Sequence, residues 1–537
     1  MSDPTAVVGS ADLNRVEAPV TLKAYLICAF SALGGIFFGY DSGYINGVMG
    51  MPYFIKQIEG PDATSLTGTT KALITSLLSL GTFFGALMAG DLADLVGRRT
   101  TILGSCVIFL VGAILQVASH GLPLLLAGRI VAGLGIGGVS AIIILYASEI
   151  APRKVRGAIV AGYQFCVTVG LLLASVIDYT TQSRNDSGSY RIPIAVQMVW
   201  ALILGIGLYF LPESPRFYVR VGNLGRAAAS LSRLRGQEVT TEYIKNELAE
   251  IVINYEHERS AMPKGGYFSS WLVCFHGSLS NSSSNLRRTI LGTSLQMMQQ
   301  WTGVNFVFYF GTTLVCADLG TIRDPFLISL ITTLVNVLST PISFWAIERI
   351  GRRPLLLWGA VGMVICQFIV AILGTVTHSV AATTTMIAFI CLYIFFFAST
   401  WGPCVWVLVG EIFSLPMRAR GVALSTASNW LWNFIIGLIT PYIVDKDKGN
   451  LGAKVFYLWG SLCATAFIYT YFLVPETKGL TLEQVDKMLE ETTPRTSASW
   501  VPRSTYAADS GIAQAPDRKL PTENANQDED FGKPSVV

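Results

Sequence analysis

Long apolar stretches alternate with short polar loops along most of the chain. A helix that crosses a lipid bilayer needs about 20 predominantly apolar residues. Stretches of this kind predict an all-α polytopic membrane protein with twelve spans, at about 24–47, 72–91, 100–118, 122–146, 157–178, 192–211, 289–314, 325–347, 354–374, 383–410, 421–443 and 452–474. The first 20 residues are polar and lack the pattern of a cleaved signal. An even number of spans is then expected to place both termini on one side of the membrane.

Basic residues are unequally distributed between the two sets of loops. One set contains Arg98, Arg99, Arg352 and Arg353, whereas the opposite set contains only a few basic residues, such as Lys56. Lys and Arg are enriched in cytoplasmic loops. We therefore predict that the first set of loops and both termini are cytoplasmic.

The apolar stretches fall into two groups of six, which gives five segments. These are a cytoplasmic N-terminal segment (1–22), a six-helix half (23–211), a cytoplasmic linker with surface helices (212–288), a second six-helix half (289–475) and a cytoplasmic tail (476–537). Within the linker, 223–235 and 241–257 are predicted to be helices at the membrane surface. The tail is expected to be mostly disordered, because beyond about Thr493 it is rich in Pro, Ser, Asp and Asn.

Composition excludes several classes of protein. Only 14% of the residues are charged and mean hydropathy is +0.51, whereas soluble domains carry about 25% charged residues. A balance of 38 basic against 35 acidic residues gives no support to nucleic-acid binding. The nine cysteines and four histidines show no metal-ligand spacing. We therefore expect neither an enzyme, nor a cofactor, nor a metal site.

The two halves share charged motifs at nearly constant offset. Gly97-Arg98-Arg99 follows the second span and Gly351-Arg352-Arg353 follows the eighth. Such duplication is typical of transporters built from two halves that rock against each other. The charged residues of these motifs are predicted to pair and to latch the halves together on the cytoplasmic side; alternatively, the arginines only enforce orientation. The predicted gating residues are Asp94, Arg98, Arg99, Glu149, Arg156, Glu213, Arg216, Glu348, Arg352, Arg353, Glu411, Arg418 and Glu476.

The motifs together resemble those of a known family. Gly90-Asp-Leu-Ala-Asp94-Leu-Val-Gly97-Arg98-Arg99, the second GRR loop, Pro212-Glu-Ser-Pro-Arg216 and Pro475-Glu-Thr-Lys-Gly479 resemble the sugar porters of the major facilitator superfamily over roughly residues 24–490. Phe38 to Asn46 and Gln299 to Tyr309 resemble fungal hexose transporters and their sensor relatives. The resemblance implies the twelve-helix major facilitator fold and alternating access, with a small neutral sugar as the substrate and a monomer sufficient for transport.

Two ionisable residues lie away from the ends of their spans. At 1.5 Å per residue, Asp41 and Arg129 both lie roughly 10 Å from the outer surface. Charges within the membrane are costly and normally face a partner or a pathway. We interpret the two residues as a proton switch, in which protonation of Asp41 weakens its pairing with Arg129. The resemblance to proton-coupled sugar porters implies the same roles, whereas a static ion pair or a uniporter remains the alternative.

Amide side chains concentrate in the spans of the second half. An amide donates and accepts hydrogen bonds, as a sugar hydroxyl does, although Asn and Gln also join helices in membranes. Asn305 is turned roughly 140° from Gln300 on a regular helix, so the two meet one ligand only if the helix unwinds at Thr302-Gly303. The resemblance implies such a break, and it implies that Trp406 lies under the sugar. The predicted substrate-binding residues are Phe38, Gln164, Gln296, Gln299, Gln300, Asn305, Asn336, Trp406 and Asn433.

These observations predict a plasma-membrane transporter that imports a hexose, with glucose as the first candidate, by proton symport. A facilitative uniporter and a pentose or polyol porter are alternatives. A non-transporting sugar sensor is an alternative of another class, which the lack of repeats in the tail disfavours. Asn185-Asp-Ser187 is a glycosylation sequon in a predicted outer loop, whereas Asn281-Ser-Ser283 lies in the predicted cytoplasmic linker.

Overall fold

The computed structural model describes residues 21–152, 155–260, 271–279, 284–311, 325–376, 379–444 and 449–501. Within these ranges the regular secondary structure is helical, and eleven helices are long and apolar enough to cross a membrane. The remaining predicted span, the seventh, is broken into shorter pieces. The structure thus agrees with the predicted all-helical membrane protein.

The first half contains six spans. The first consists of Leu22–Ala32 and Gly34–Gly50, followed by a short helix, Pro52–Glu59. The others are Gly68–Val96, Arg98–Val117, Leu122–Ile150, Arg156–Thr181 and Gly188–Phe210.

The second half contains the remaining six spans. The seventh is Asn285–Trp301, Val304–Phe306 and a π-helical turn, Val307–Gly311, and the eighth is Pro325–Ser339 and Ile342–Arg349. The ninth is Arg352–Val376, and the tenth is Val380–Phe396, the π-helical turn Phe397–Trp401 and Gly402–Glu411. The last two are Arg418–Val444 and Val455–Leu473.

Glycines bring the second and fourth spans into backbone contact. A Cβ on Gly133 would lie 2.3 Å from the carbonyl oxygen of Leu78, and one on Gly81 would lie 2.4 Å from that of Ile130. Small residues allow this close approach of helices within membranes, where packing must replace the hydrophobic effect as the driving force. The fourth span is consequently enclosed by its neighbours along its inner half.

The linker contains helices where the sequence predicts them. The structure has helices at Pro215–Val221, Leu224–Arg235 and Glu242–Ser260, and a 3₁₀ turn at Val273–Phe275. The second and third of these helices match the predicted segments 223–235 and 241–257.

The start of the tail is more ordered than expected. Leu482–Glu491 is a helix that begins with a capping box formed by Thr481 and Gln484. Its residues Val485 and Met488 are fully buried, so an apolar stripe, which the charged composition conceals, fixes the helix against the protein. Residues 502–537 lie outside the described ranges.

Candidate functional site

A cavity lies between the two halves, near the middle of the spans. It has about 600 Å³ of free space, part of it open to solvent. The cavity brings together eight of the nine predicted substrate-binding residues. Its lining residues are Phe38, Ser42, Gln164, Val167, Leu171, Gln299, Gln300, Val304, Asn305, Phe308, Tyr309, Asn336, Phe397, Trp406, Asn429 and Asn433.

The seventh span unwinds at the predicted position. Its first helix ends at Trp301, and Gly303 has φ = +83°, a left-handed conformation that glycine adopts without strain. The unwinding brings the Nδ2 amide of Asn305 into hydrogen-bond contact with Oε1 of Gln300. The predicted break at Thr302-Gly303 is therefore present, whereas binding of one ligand by Gln300 and Asn305 stays a prediction.

The broken backbone is satisfied by neighbouring spans. The carbonyl oxygen of Thr302 accepts hydrogen bonds from Nε2 of Gln367 at 2.7 Å and from the hydroxyl of Tyr393 at 2.8 Å. A Cβ on Gly303 would lie 2.8 Å from Cγ of Trp459. A backbone break inside a membrane requires such replacement partners, so the break is built into the fold.

Most cavity amides already have protein partners. Nε2 of Gln299 donates to the carbonyl oxygens of Trp401 and Gly402 at 3.1 and 2.9 Å, and its Oε1 accepts from Asn429 at 3.0 Å. Asn433 accepts from the Ser79 hydroxyl at 2.9 Å. These bonds link the seventh, tenth and eleventh spans to one another and to the second.

Two predicted residues differ from the rest of the set. Gln296 is fully buried and accepts a hydrogen bond from Asn429 at 2.7 Å, but it does not line the cavity. Asn336 lines the cavity, and its Oδ1 has no hydrogen-bond partner in the described part of the chain. Asn336 therefore offers a free acceptor to a ligand, whereas Gln296 supports its neighbours.

Aromatic rings flank the amides. Phe38 packs edge-on against Trp430 with ring centroids 4.8 Å apart, and Trp406 packs edge-on against Tyr163 at 5.7 Å. Trp406 faces the cavity, as the family resemblance implied. Aromatic faces suit the C–H groups of a sugar ring, and the indole N–H can donate a hydrogen bond.

Asp41 and Arg129 are both buried but do not form an ion pair. Nη1 of Arg129 donates instead to the hydroxyl of Tyr44 at 3.2 Å. Neither carboxylate oxygen of Asp41 has a hydrogen-bond partner within the described residues. The predicted direct pairing is therefore wrong for this conformation, because the Tyr44 hydroxyl has taken the place of the carboxylate beside the guanidinium.

The charged motifs form one equivalent cluster within each half. In the first half, Arg98 donates to both oxygens of Glu149 at 3.0–3.1 Å, and Glu213 accepts from the backbone N–H groups of Arg98 and Arg99 at 3.0 Å each. Burial raises the pKa of Glu213 above its ordinary value despite these donors. This cluster ties the second and third spans to the fourth span and to the linker.

The second half repeats the arrangement. Arg352 donates to Glu411 at 3.0 Å, and Glu476 accepts from the backbone N–H groups of Arg352 and Arg353 at 3.0 and 3.1 Å. Thr477 donates to Glu411 at 2.7 Å, as Ser214 donates to Glu149 in the first half. These predicted residues therefore do not latch the halves to each other, because each arginine meets the carboxylates of its own half.

A different residue connects the halves on the predicted cytoplasmic side. Arg420 of the eleventh span pairs with Asp91 and Asp94 of the second span, each at 3.2 Å. Trp271 of the linker donates to Asp91 at 2.9 Å, and its ring lies 5.9 Å from the Arg420 guanidinium. We call Arg420, Asp91, Asp94 and Trp271 the latch. Of these four residues, only Asp94 belongs to the gating set that was predicted from the sequence.

The other predicted gating residues occupy supporting positions. Glu348 also reaches the other half, since its carboxylate accepts from the backbone N–H of Ala158 at 3.2 Å. Arg156 donates to the carbonyl oxygen of Leu480 at 3.5 Å, Arg418 donates to that of Phe413 at 2.8 Å, and Arg216 is buried. Asn185 is exposed at its loop, whereas Asn281 lies outside the described ranges.

The comparisons with known proteins agree with this arrangement. The model of the family described as "Sugar (and other) transporter" matches residues 27–489. The chain belongs to this sugar transporter family. It is therefore a transporter-type membrane protein rather than an enzyme, and the family resemblance drawn from its motifs is confirmed.

Two curated fungal relatives illustrate the range of the family. The high glucose sensor RGT2 of Saccharomyces cerevisiae is 44% identical over 88% of this chain, which spans 61% of that sensor's length. The probable glucose transporter rco-3 of Neurospora crassa is 41% identical, covering 87% of this chain and 79% of the relative. Sequence identity alone thus places the chain near both a transporter and a sensor.

A solved structure supports the fold. The proton:xylose symporter XylE bound to 6-bromo-6-deoxy-D-glucose superposes with a TM-score of 0.75 at 24% identity, covering 87% of this chain and 99% of that one. The chain has the major facilitator fold that its duplicated motifs predicted.

Proposed function

We propose that this protein imports a neutral hexose, with glucose as the first candidate, across the plasma membrane by proton symport, with both termini in the cytoplasm. The observation that carries the proposal is the cavity between the halves. Among the described residues that line it, none is charged, and seven are amides. A neutral polyol needs hydrogen-bond donors and acceptors and no counter-charge.

The residues that line the cavity favour a ring-shaped ligand. Amides such as Asn336 and Gln300 line the cavity, and Phe38 and Trp406 contribute aromatic surface to the same lining. Sugars present hydroxyls at their edges and C–H groups on their faces, so both kinds of surface have a counterpart. The similarity to the probable glucose transporter rco-3 supports a hexose as the substrate.

Proton coupling is supported by the burial of Asp41. The carboxyl group has no polar partner in the described structure, and Phe38, one helical turn away, lines the cavity. An ionised carboxylate without a partner is costly away from water. Loading of Asp41 by a proton can therefore be linked to the conformation of the same helix that contacts the sugar.

A non-transporting sugar sensor is the second candidate. The 44% identity to the sensor RGT2 favours it. Both candidates require the same sugar-binding cavity. Only a transporter gives sugar uptake that increases with the amount of the protein in the membrane.

Uptake of labelled sugars in yeast stripped of its own hexose carriers tests the proposal. We expect accumulation of hexose against its gradient, collapse of that accumulation by a protonophore, and loss of accumulation with retained sugar exchange in Asp41→Asn. Uptake that equilibrates without accumulation would indicate a uniporter. Sugar binding without any uptake, in a protein that reaches the cell surface, would indicate a sensor.

A further inference from the structure

A second buried carboxyl group lies in the first half, close to the first. Asp178 is in the last turns of the fifth span, and only 2% of its surface is exposed. Its Oδ1 has no hydrogen-bond partner in the described part of the protein. The sequence alone does not predict this burial, since a carboxylate near the end of an apolar stretch normally reaches water.

The first span holds Asp178 away from water. A Cβ placed on Gly47 would lie 2.2 Å from Oδ2 of Asp178, so the carboxyl group packs directly against the backbone of the first span. Gly47 follows Asp41 by six residues, which places Asp178 about 9 Å closer to the outer surface than Asp41. Asp178 is thus positioned between Asp41 and the predicted outside.

A polar network on the first, third, fourth and sixth spans lies near the two carboxyl groups, and within the described residues no hydrogen bond joins it to Asp41. The Tyr44 hydroxyl donates to Oε1 of Gln116 at 2.7 Å and accepts from Arg129 at 3.2 Å. Tyr40, on the same helix, donates to the carbonyl oxygen of Pro193 at 2.9 Å. Hydrogen bonds in such a buried network polarise one another, and a hydroxyl such as that of Tyr44, which both donates and accepts, can take up one proton while it releases another.

The charges in this region do not balance. The ionisable groups near the network are Asp41, Tyr40 and Tyr44 of the first span, Arg129 of the fourth, Asp178 of the fifth, Tyr190 and Arg191 of the sixth, and Tyr309 of the seventh. Arg191 donates to the carbonyl oxygen of Ser119 and contacts His120 near the outer surface. Arg129 remains as the cation nearest to the network, it pairs with Tyr44 rather than with Asp41, and it cannot neutralise two carboxylates. One of the carboxyl groups must therefore hold a proton, because an unpaired buried carboxylate costs several kcal/mol.

We propose that Asp178 is a second proton-carrying group, which supplies Asp41 from the outer side through the network around Tyr44. The inference rests on the proposed proton symport. In the outward-open state, in which outer water reaches the end of the fifth span, the protonated Asp178 carboxyl gives its proton to the Asp41 carboxylate and takes up another proton from that water. Asp41 releases the same proton on the cytoplasmic side after the conformational change, so one proton crosses per cycle and both carboxyl groups return to their starting state.

The test uses the full chain in proteoliposomes, with sugar-driven proton uptake and sugar exchange measured side by side. Asp178→Asn is expected to slow proton uptake roughly 10²- to 10⁴-fold while leaving exchange, which needs no proton turnover, near the wild-type rate. Asp178→Glu is expected to restore most of the proton uptake. Asp186→Asn is the matched control, since this aspartate lies on the same side of the membrane with a side chain that is 57% exposed.

Tyr44→Phe provides an independent variant, because it removes the hydroxyl without changing charge. It is expected to slow proton uptake while preserving exchange. Wild-type proton uptake in both Asp178→Asn and Tyr44→Phe would overturn the inference and leave Asp178 as a static neutral acid. If Asp178→Asn also loses sugar exchange, Tyr44→Phe alone tests the inference. Wild-type proton uptake in Tyr44→Phe would then overturn it. Sugar exchange without any proton uptake in the wild-type protein would overturn the proposed symport itself, which separates the two failures.

Discussion

Removal of Arg420 should allow the two halves to separate more readily on the predicted cytoplasmic side. Its guanidinium pairs at 3.2 Å with two carboxylates of the opposite half, and its side chain is only 11% exposed. Exposed ion pairs contribute about 0–1 kcal/mol, whereas truncating one partner of a buried pair costs about 3–5 kcal/mol. Arg420 forms two ion pairs that are partly exposed and that break when this side opens. These pairs should therefore favour the closed conformation over the open one by about 1–3 kcal/mol. Such a bias corresponds to a shift of about 5- to 150-fold in their ratio.

Ser148 offers a reporter for this opening. It is fully buried on the fourth span, and a Cβ on Gly410 of the tenth span would lie 3.2 Å from its Cβ, so the contact separates only when the halves part. In Ser148→Cys, labelling by a maleimide in inside-out vesicles should accelerate about 5- to 150-fold when Arg420→Ala is added. Arg226→Ala, on an exposed surface helix, should not alter the rate. Labelling at the same rate with and without Arg420 would refute the latch.

Three further outcomes can be checked. Asn336→Ala should weaken sugar affinity about 5- to 150-fold, since a sugar hydroxyl loses a buried acceptor worth about 1–3 kcal/mol; unchanged affinity in binding assays would move the sugar away from Oδ1. Gly303→Ala should lower the melting temperature, because φ is +83° and the added Cβ meets Trp459, whereas Gly225→Ala meets nothing within 4 Å and should not. Any N-glycan mapped by mass spectrometry should be on Asn185; one on Asn281 would invert the proposed orientation.

The break in the seventh span could be predicted from the sequence because it follows from local geometry. The angular positions of Gln300 and Asn305 on a regular helix are fixed by the helix itself, and Gly303 is the residue between them that adopts a left-handed conformation. The spans could be predicted for a similar reason. Each helix that crosses the membrane needs about 20 apolar residues and must make its backbone hydrogen bonds within the protein.

The latch and the outer carboxyl group could not be predicted in this way. Repeated motifs identify Arg98 and Arg352 as equivalent, but equivalence does not say whether each meets a carboxylate of its own half or of the other. That choice depends on how the halves pack. The burial of Asp178 likewise depends on Gly47. This glycine is distant in sequence and has no side chain whose chemistry would indicate a contact with a carboxyl group.

The pairing of the cavity amides bears on how a sugar can drive a conformational change. A ligand shifts an equilibrium only through contacts that differ between the two states. Gln299 is already bonded to the carbonyl oxygens of Trp401 and Gly402, where the tenth span contains a π-helical turn, and to Asn429 of the eleventh span. A sugar hydroxyl that engages Gln299 must therefore share or replace bonds that hold three spans together. If a sugar binds at Gln299, its binding and the rearrangement of the helices act on the same hydrogen bonds, and we propose that recognition of the substrate loosens the packing of the second half.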